Sequence, residues 1–198
     1  MTKLGAQLLP PISGLSYYPD FISPEVGEAL LAWVDAQAWD ATLARRVQHY
    51  GASYDYARRL VSQKRPHPLP EALQTLAQKV GQAGGFLPDH TVEQIIINDY
   101  QPGQGIAPHV DAPHAFGPVV ATLSLGAPVV MDFFKDDDRH QLLLEPLSLL
   151  VLSGAARFEW QHGIAKRKSD ILNGERINGK RIIRRRRVSL TFRCLLVS

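Results

Sequence analysis

The stretch Arg187-Val188-Ser189-Leu190-Thr191-Phe192-Arg193-Cys194 alternates from end to end. Its odd positions, Arg187, Ser189, Thr191 and Arg193, are polar, and its even positions, Val188, Leu190, Phe192 and Cys194, are apolar. A period of two marks a strand whose two faces meet different surroundings. The apolar face is expected to enter a hydrophobic layer, while the other points two arginines inward. Arg187 and Arg193 stand six residues apart, about 20 Å along a strand that rises about 3.3 Å per residue. Two long side chains leaning toward each other close most of that gap and leave room for a small dicarboxylate. The planar guanidinium pairs bidentately with a carboxylate. A pair of surface salt bridges is the alternative reading of the same arginines.

Upstream, short strands are predicted over 91–100, 119–125, 129–134, 141–144 and 147–152, with the last strand over 188–197. Gly, Pro and Asp clusters separate them, a spacing that predicts a barrel or sandwich rather than a parallel α/β sheet. Two helices precede them. Ser23 is a good N-cap, Pro24 suits the first turn, and Val26, Leu30, Trp33 and Val34 form an apolar stripe. The second helix runs from Pro70 to about Gly81 with Leu73, Leu76, Ala77 and Val80 on one face, ended by Gly84-Gly85. Residues 166–186, with Asn173-Gly174 and Asn178-Gly179, read as a loop or hairpin excursion. No linker divides the chain, so one domain is expected over 1–198.

The 198 residues are 45% hydrophobic and 21% charged, which excludes collagen-like, low-complexity and wholly disordered chains. A single cysteine, Cys194, excludes an internal disulfide framework and zinc sites built on several thiolates. The uncharged run 116–131 is too short, and too broken by Gly117, Pro118, Gly126 and Pro128, to cross a bilayer. No apolar signal core opens the sequence, so a cytoplasmic protein with no membrane partner is expected. The net charge of +3 hides an asymmetry: residues 165–198 hold eleven Lys/Arg against Asp170 and Glu175. Residues 45–65 hold six bases against Asp55. Such segments are either solvated surface or the footprint of an anionic partner such as nucleic acid.

The chemistry centres on His109-Val110-Asp111 and His162. Residues two apart on an extended segment point the same way, so His109 and Asp111 can grip one ion. A third ligand from a neighbouring strand gives two histidines and one carboxylate on one face, which leaves three positions open as a non-haem Fe(II) site needs. His-x-Asp alone is a weak signal. Asn98 and Tyr100 share a strand face and offer an amide and a phenol to one ligand. Trp160 is assigned to the core, His114 and His140 to solvent, and Cys194 to the apolar face. Arg184 and Arg186 read as caps on the exposed start of the last strand.

As an ordered set, Asn98-Asp99-Tyr100, Pro102-Gly103, His109-Val110-Asp111, His162-Gly163-Ile164 and Arg187…Arg193 resemble the signature of the AlkB family over about residues 45–196. Pro102-Gly103-Gln104-Gly105-Ile106, Ser124-Leu125-Gly126 and Val130-Met131-Asp132-Phe133 are similar in particular to the oxygenase domain of its eukaryotic tRNA-hydroxylase branch. The resemblance implies an α+β, mostly β fold: a double-stranded β-helix (jelly roll) over about 91–197 with N-terminal helices packed on one sheet. It implies Fe(II), 2-oxoglutarate and O2, with His109, Asp111 and His162 as iron ligands. Arg187, helped by Tyr100, would take the distal carboxylate of 2-oxoglutarate, with Arg193 and Asn98 nearer the chelating carboxylate and Ser189 in the same cosubstrate site. Ser189 stands where the bacterial repair enzyme has asparagine, and Pro113 where it has a second acid that contacts the base. No methyltransferase or RNA-recognition module accompanies the domain, so a monomeric, stand-alone member is expected.

The implied activity is oxidative dealkylation of alkylated or adducted bases in DNA or RNA, a repair reaction that releases succinate and CO2. Hydroxylation of a tRNA wobble-uridine side chain and a non-catalytic nucleic-acid-binding module are the alternatives. For recognition, Arg45, Arg46, His49, Tyr50, Tyr54, Tyr56, Arg58 and Arg59 combine stacking surfaces with phosphate-binding charge. They would form a lid over about 45–65 for a flipped-out base, with a hairpin turn near Gly51. A plain β-hairpin with aromatic cross-strand pairs is the alternative for this stretch.

Overall fold

The computed structural model describes residues 9–42, 44–52, 54–55, 60–61, 68–86, 91–176 and 181–196. Among them the chain forms β1 (Leu15–Tyr18), α1 (Pro24–Asp35), β2 (Arg46–Gly51), β3 (Tyr54–Asp55), β4 (Leu60–Val61), α2 (Glu71–Gly84), β5 (Gln94–Tyr100) and β6 (Ile106–His109). It continues through β7 (Phe116–Gly126), β8 (Val129–Lys135), β9 (Asp138–Leu144), β10 (Leu149–Leu152), α3 (Gly154–Phe158) and β11 (Gln161–Ile164). β12 (Ser169–Asp170), β13 (Ile182–Ile183) and β14 (Arg187–Leu195) complete it.

Two antiparallel sheets carry the fold, ordered β1-β10-β7-β14-β5-β2 and β6-β11-β8-β9. This is the jelly roll that the resemblance implies, and it agrees with the barrel or sandwich predicted from the strand pattern. β14 lies between β7 and β5, and its register places Arg187 beside Tyr100, Ser189 beside Asn98 and Thr191 beside Ile96. Its even residues Val188, Leu190 and Phe192 are fully buried in a core shared with α1 and α2. A second core fills the space between the sheets, where Met131, Phe133, Leu142, Leu150 and Ile164 meet. The odd residues of β14 face that interior and are polar. Thus one strand separates an oily layer from a chemical one. Cys194 is buried, as its parity requires, and Trp160 fills the inter-sheet core with its ring 5.4 Å from that of His140.

Ser23 caps α1, its hydroxyl accepting from the Val26 N–H at 3.4 Å. The buried stripe is Gly27, Leu30 and Val34, whereas Val26 is half exposed. α2 ends at Gly84 rather than Gly81, where Gly85 takes a left-handed φ of 66°. Buried Val34, Leu73 and Val80 each contribute about 1.5–3 kcal/mol relative to exposure. The turn placed near Gly51 is not a hairpin turn. β2 runs through Gly51 paired with β5, and the hairpin is β3 with β4. The sheet edge offered by β5 captures the segment that a local pattern assigned to a hairpin.

Among the described residues, 166–176 and 181–186 form the expected excursion, with β12 on β13 and Asn173-Gly174 in a turn at φ 50° and 80°. Asn178-Gly179 lies outside the described residues. Arg184 does not cap the start of β14. It is buried, and its guanidinium donates to both Asp170 oxygens at 2.6 and 2.8 Å, with Arg167 adding a third bond at 2.6 Å. Arg186 spans buried Asp99 at 3.1 Å and exposed Asp35 at 2.5 Å. Among the described residues no helix is long and apolar enough to cross a membrane.

Removing Asp170 strands a buried arginine, which costs about 3–5 kcal/mol, whereas an exposed pair is worth about 1 kcal/mol or less. Asp170→Ala is therefore expected to lower the unfolding free energy by at least about 3 kcal/mol and Asp35→Ala by under about 1, read by urea denaturation. Equal effects would show that the buried fork does not anchor the excursion.

Candidate active site

β6 and β11 are antiparallel neighbours, and His109 sits directly opposite His162. Paired residues share a sheet face, so the two rings meet with centroids 4.6 Å apart. Glycine at 163 allows this approach, because a Cβ there would stand 2.9 Å from the Pro108 nitrogen. Asp111 lies just beyond β6 and is buried. One ligand atom from each of His109, Asp111 and His162 falls within 4.8 Å of the others. The Nδ1–H of His109 donates to the Ala107 carbonyl at 2.9 Å, which leaves Nε2 free to bind a metal.

The protonation states suit a metal. Burial alone pushes the Asp111 carboxyl up, but Arg193 and the two histidines outweigh it and hold it at about 2. Burial drives the His162 imidazole down to about 4 against the pull of Asp111. Carboxylate and neutral imidazole are the forms that coordinate metal. The buried Nδ1 of His162 has no hydrogen-bond partner, and its Nε2 stands 3.5 Å from Asp111. Two imidazoles and a carboxylate on one face fit Fe(II) and leave open positions.

Arg193 forms an ion pair with Asp111 and donates to the Gln94 side chain at 3.0 Å. Arg187 is different. It is 2% exposed, donates to the Ser124 hydroxyl at 2.8 Å and lies 5.6 Å from the Tyr100 ring centroid. Its Nε has no hydrogen-bond partner, and among the described residues no carboxylate is within ion-pairing distance. Burial lowers it to about 10, which still leaves it cationic at neutral pH. A buried cation of this kind calls for an anionic ligand. Burial likewise raises the Tyr100 phenol.

One cavity of about 600 Å³ joins the triad to Arg187, and Asn98, Ser189 and Thr191 line it. Arg45 lines it too, donating to the Asn98 side chain at 2.8 Å and lying 5.5 Å from the Tyr100 ring. The sheet sorts the other recognition residues. His49 pairs with cavity-facing Ile96, which puts it on that side of β2. Arg46 and Tyr50 point the other way: Arg46 pairs with Asp99 at 2.5 Å, and the Tyr50 ring lies 5.5 Å from Trp33. Tyr54 belongs to β3, while Tyr56, Arg58 and Arg59 lie outside the described residues. His114 is exposed yet lines the cavity, so its solvent position does not remove it from the site. Arg157 was not singled out in the sequence. It is buried and donates to the Asp111 backbone at 2.6 Å.

Fold and site together define a non-haem iron oxygenase that takes a dicarboxylate cosubstrate. The chain matches the 2OG-Fe(II) oxygenase superfamily over residues 32–193. It is 39% identical over 174 residues to tRNA (carboxymethyluridine(34)-5-O)-methyltransferase alkbh8 of Xenopus tropicalis, covering 83% of this chain and 27% of that protein. It is 30% identical over 202 residues to the Probable RNA/DNA demethylase ALKBH6 of Danio rerio, covering 89% of this chain and 83% of that one. The solved structure of OsALKBH1 superposes with a TM-score of 0.66 at 19% identity, covering 94% of this chain and 98% of that chain. The chain thus belongs to the 2OG-Fe(II) oxygenase superfamily as an AlkB-like dioxygenase, an oxidoreductase using Fe(II), 2-oxoglutarate and O2.

Asp111→Ala, His109→Ala and His162→Ala should each give folded protein that fails to retain iron and to form succinate. Normal iron content and turnover in the Asp111 variant would contradict the ligand set. Arg187→Ala should raise the 2-oxoglutarate requirement more than it weakens substrate binding, with a loss on the order of 3–5 kcal/mol. A titration matching wild type would remove Arg187 from the cosubstrate site.

Proposed function

We propose that the enzyme hydroxylates a C–H bond on an alkylated or adducted base of DNA or RNA, so that an N-alkyl group leaves as an aldehyde. One oxygen atom goes to the substrate and the other to succinate, with loss of CO2 from 2-oxoglutarate. The observation that carries this reading is the single cavity in which the His–Asp–His face and the uncompensated Arg187 stand together. Its volume lies within the range of about 300–1,000 Å³ usual for ligand sites. When bound, iron supplies the activation of O2 and the oxidising power. Arg187 would hold the far carboxylate of 2-oxoglutarate by its charge, and Arg193 with Asn98 would serve the near one. Ile96, Val110, Phe116 and Met131 wall the cavity and keep water from the reacting carbon. His114 and Pro113, exposed at its edge, are placed to meet an incoming base.

Nucleic acid as the partner is supported by the relatives, whose names specify tRNA and RNA/DNA. A cytoplasmic, monomeric repair enzyme is part of the proposal, with Arg45 and His49 on the cavity side of β2 helping to meet the nucleotide. Hydroxylation of a tRNA wobble-uridine side chain is the second reading, favoured by the 39% identity to the frog protein. A purely binding module leaves the triad and the buried Arg187 without a purpose.

Succinate release should rise with one class among methylated oligonucleotides, etheno-adducted oligonucleotides and tRNA. Stimulation by tRNA alone would select the wobble reading, and no stimulation by any of them would end the nucleic-acid reading. Phosphate contacts by Arg58 and Arg59 should make binding salt-dependent, each lost contact flattening the log–log slope by about one unit. Tyr54 or Tyr56 stacking should contribute about 1–3 kcal/mol with little salt dependence. Alanine variants that bind and turn over like wild type would place recognition elsewhere.

A further inference from the structure

Arg157 is the penultimate residue of α3, before Phe158 and five residues before His162. It is 2% exposed, among the largest of the buried side chains. Its Nη1 donates to the Asp111 carbonyl at 2.6 Å, its Nη2 to Phe116 at 3.3 Å and its Nε to Gly117 at 3.2 Å. Among the described residues no carboxylate is within ion-pairing distance of it, so its charge is met by carbonyl dipoles. It does not line the cavity.

The three acceptors bracket both ends of the loop that joins β6 to β7. That loop carries Asp111 near its start and supplies Ala112, Pro113 and His114 to the cavity wall, with Phe116 at the head of β7 beside them. The other end of the connection is as informative. α3 leads through Trp160 into β11, where His162 stands, so one guanidinium fastens the segment of one ligand to the loop of another. Burying a cation against neutral carbonyls is expensive, and an apolar side chain of similar volume would fill the space at lower cost. Lysine offers a compact ammonium instead of a planar fork and cannot reach three divergent carbonyls.

We propose that Arg157 is a positioning residue of the metal centre, which holds Asp111 in register with His162 by fixing the loop between β6 and β7. It touches neither iron nor cosubstrate. Its action passes through the Asp111 backbone, and ligand geometry tolerates only small displacements, about 0.5 Å. Residues standing behind metal ligands typically change affinity about 10–100-fold when removed. The inference rests on His109, Asp111 and His162 being the ligands.

The test uses Mn(II), which reports metal binding without turnover, on the full chain. Arg157→Lys and Arg157→Met should weaken Mn(II) binding by about 10–100-fold in protein with wild-type near-UV circular dichroism. Binding of 2-oxoglutarate at saturating Mn(II) should stay near wild type. Arg139→Gln serves as comparator, because Arg139 pairs with buried Asp132 at 2.9 Å outside the triad. It should lower stability and leave Mn(II) affinity unchanged. Wild-type Mn(II) affinity in a folded Arg157 variant, or an equal loss in Arg139→Gln, would overturn the proposal. Failure of wild type itself to bind Mn(II) would overturn the ligand assignment beneath it. Should neither Arg157 variant fold, hydrogen exchange of the wild type decides: Mn(II) should slow exchange in 111–117 and 154–158 together, and slowing in the loop alone would refute the link.

Discussion

A guanidinium buried without a carboxylate is costly, and Arg187 is such a group. The rest of the architecture follows from how that cost is set up. β14 can carry Arg187 inward only because its other face is fully engaged with α1 and α2 through Val188, Leu190 and Phe192. The strand is also paired on both sides, so its backbone cannot turn to release the arginine to water. Ser124 and Tyr100 meet the cation in part, one by a hydrogen bond and one by its ring. What is missing is negative charge, which a dicarboxylate would supply.

The charge balance along the cavity points the same way. Among the described residues Arg45, Arg187 and Arg193 line it, against Asp111 as the one carboxylate. Asp111 is committed to Arg193 and the histidine pair, and its strongly acidic carboxyl shows how fully it is surrounded by positive groups. An iron ion held by the triad would add positive charge to that end, and an anionic cosubstrate would offset it together with that of Arg187. Behind this, Arg157 and the Asp170–Arg184 fork brace the loops on either side without entering the cavity.

Much of this was legible in the sequence because the residues obey a simple period. The alternation of β14 gave the faces correctly, and His-x-Asp followed by a distant histidine placed the triad. β2 was harder. In Arg46-Val47-Gln48-His49-Tyr50-Gly51 both faces carry polar or amphipathic side chains, so composition suggested one recognition surface where the sheet makes two. Arg45 and His49 turn to the cavity side, and Arg46 and Tyr50 to the helices. Arg157 gave no signal, since a cation beside exposed Phe158 in a five-residue helix reads as surface. The basic run before β14 likewise looked like a solvated cap. Arg184 is buried there because Asp170, fourteen residues away, reaches it only through the excursion's hairpin.

If Arg187 selects its ligand by an unmet charge, cosubstrate discrimination is the most direct test. Calorimetry on Mn(II)-loaded protein would compare 2-oxoglutarate with 2-oxobutanoate, which keeps the chelating 2-oxo acid and lacks the distal carboxylate. 2-Oxobutanoate is expected to bind weaker by on the order of 100-fold or more. Equal affinities would contradict it, since the buried arginine would then contribute nothing to recognition.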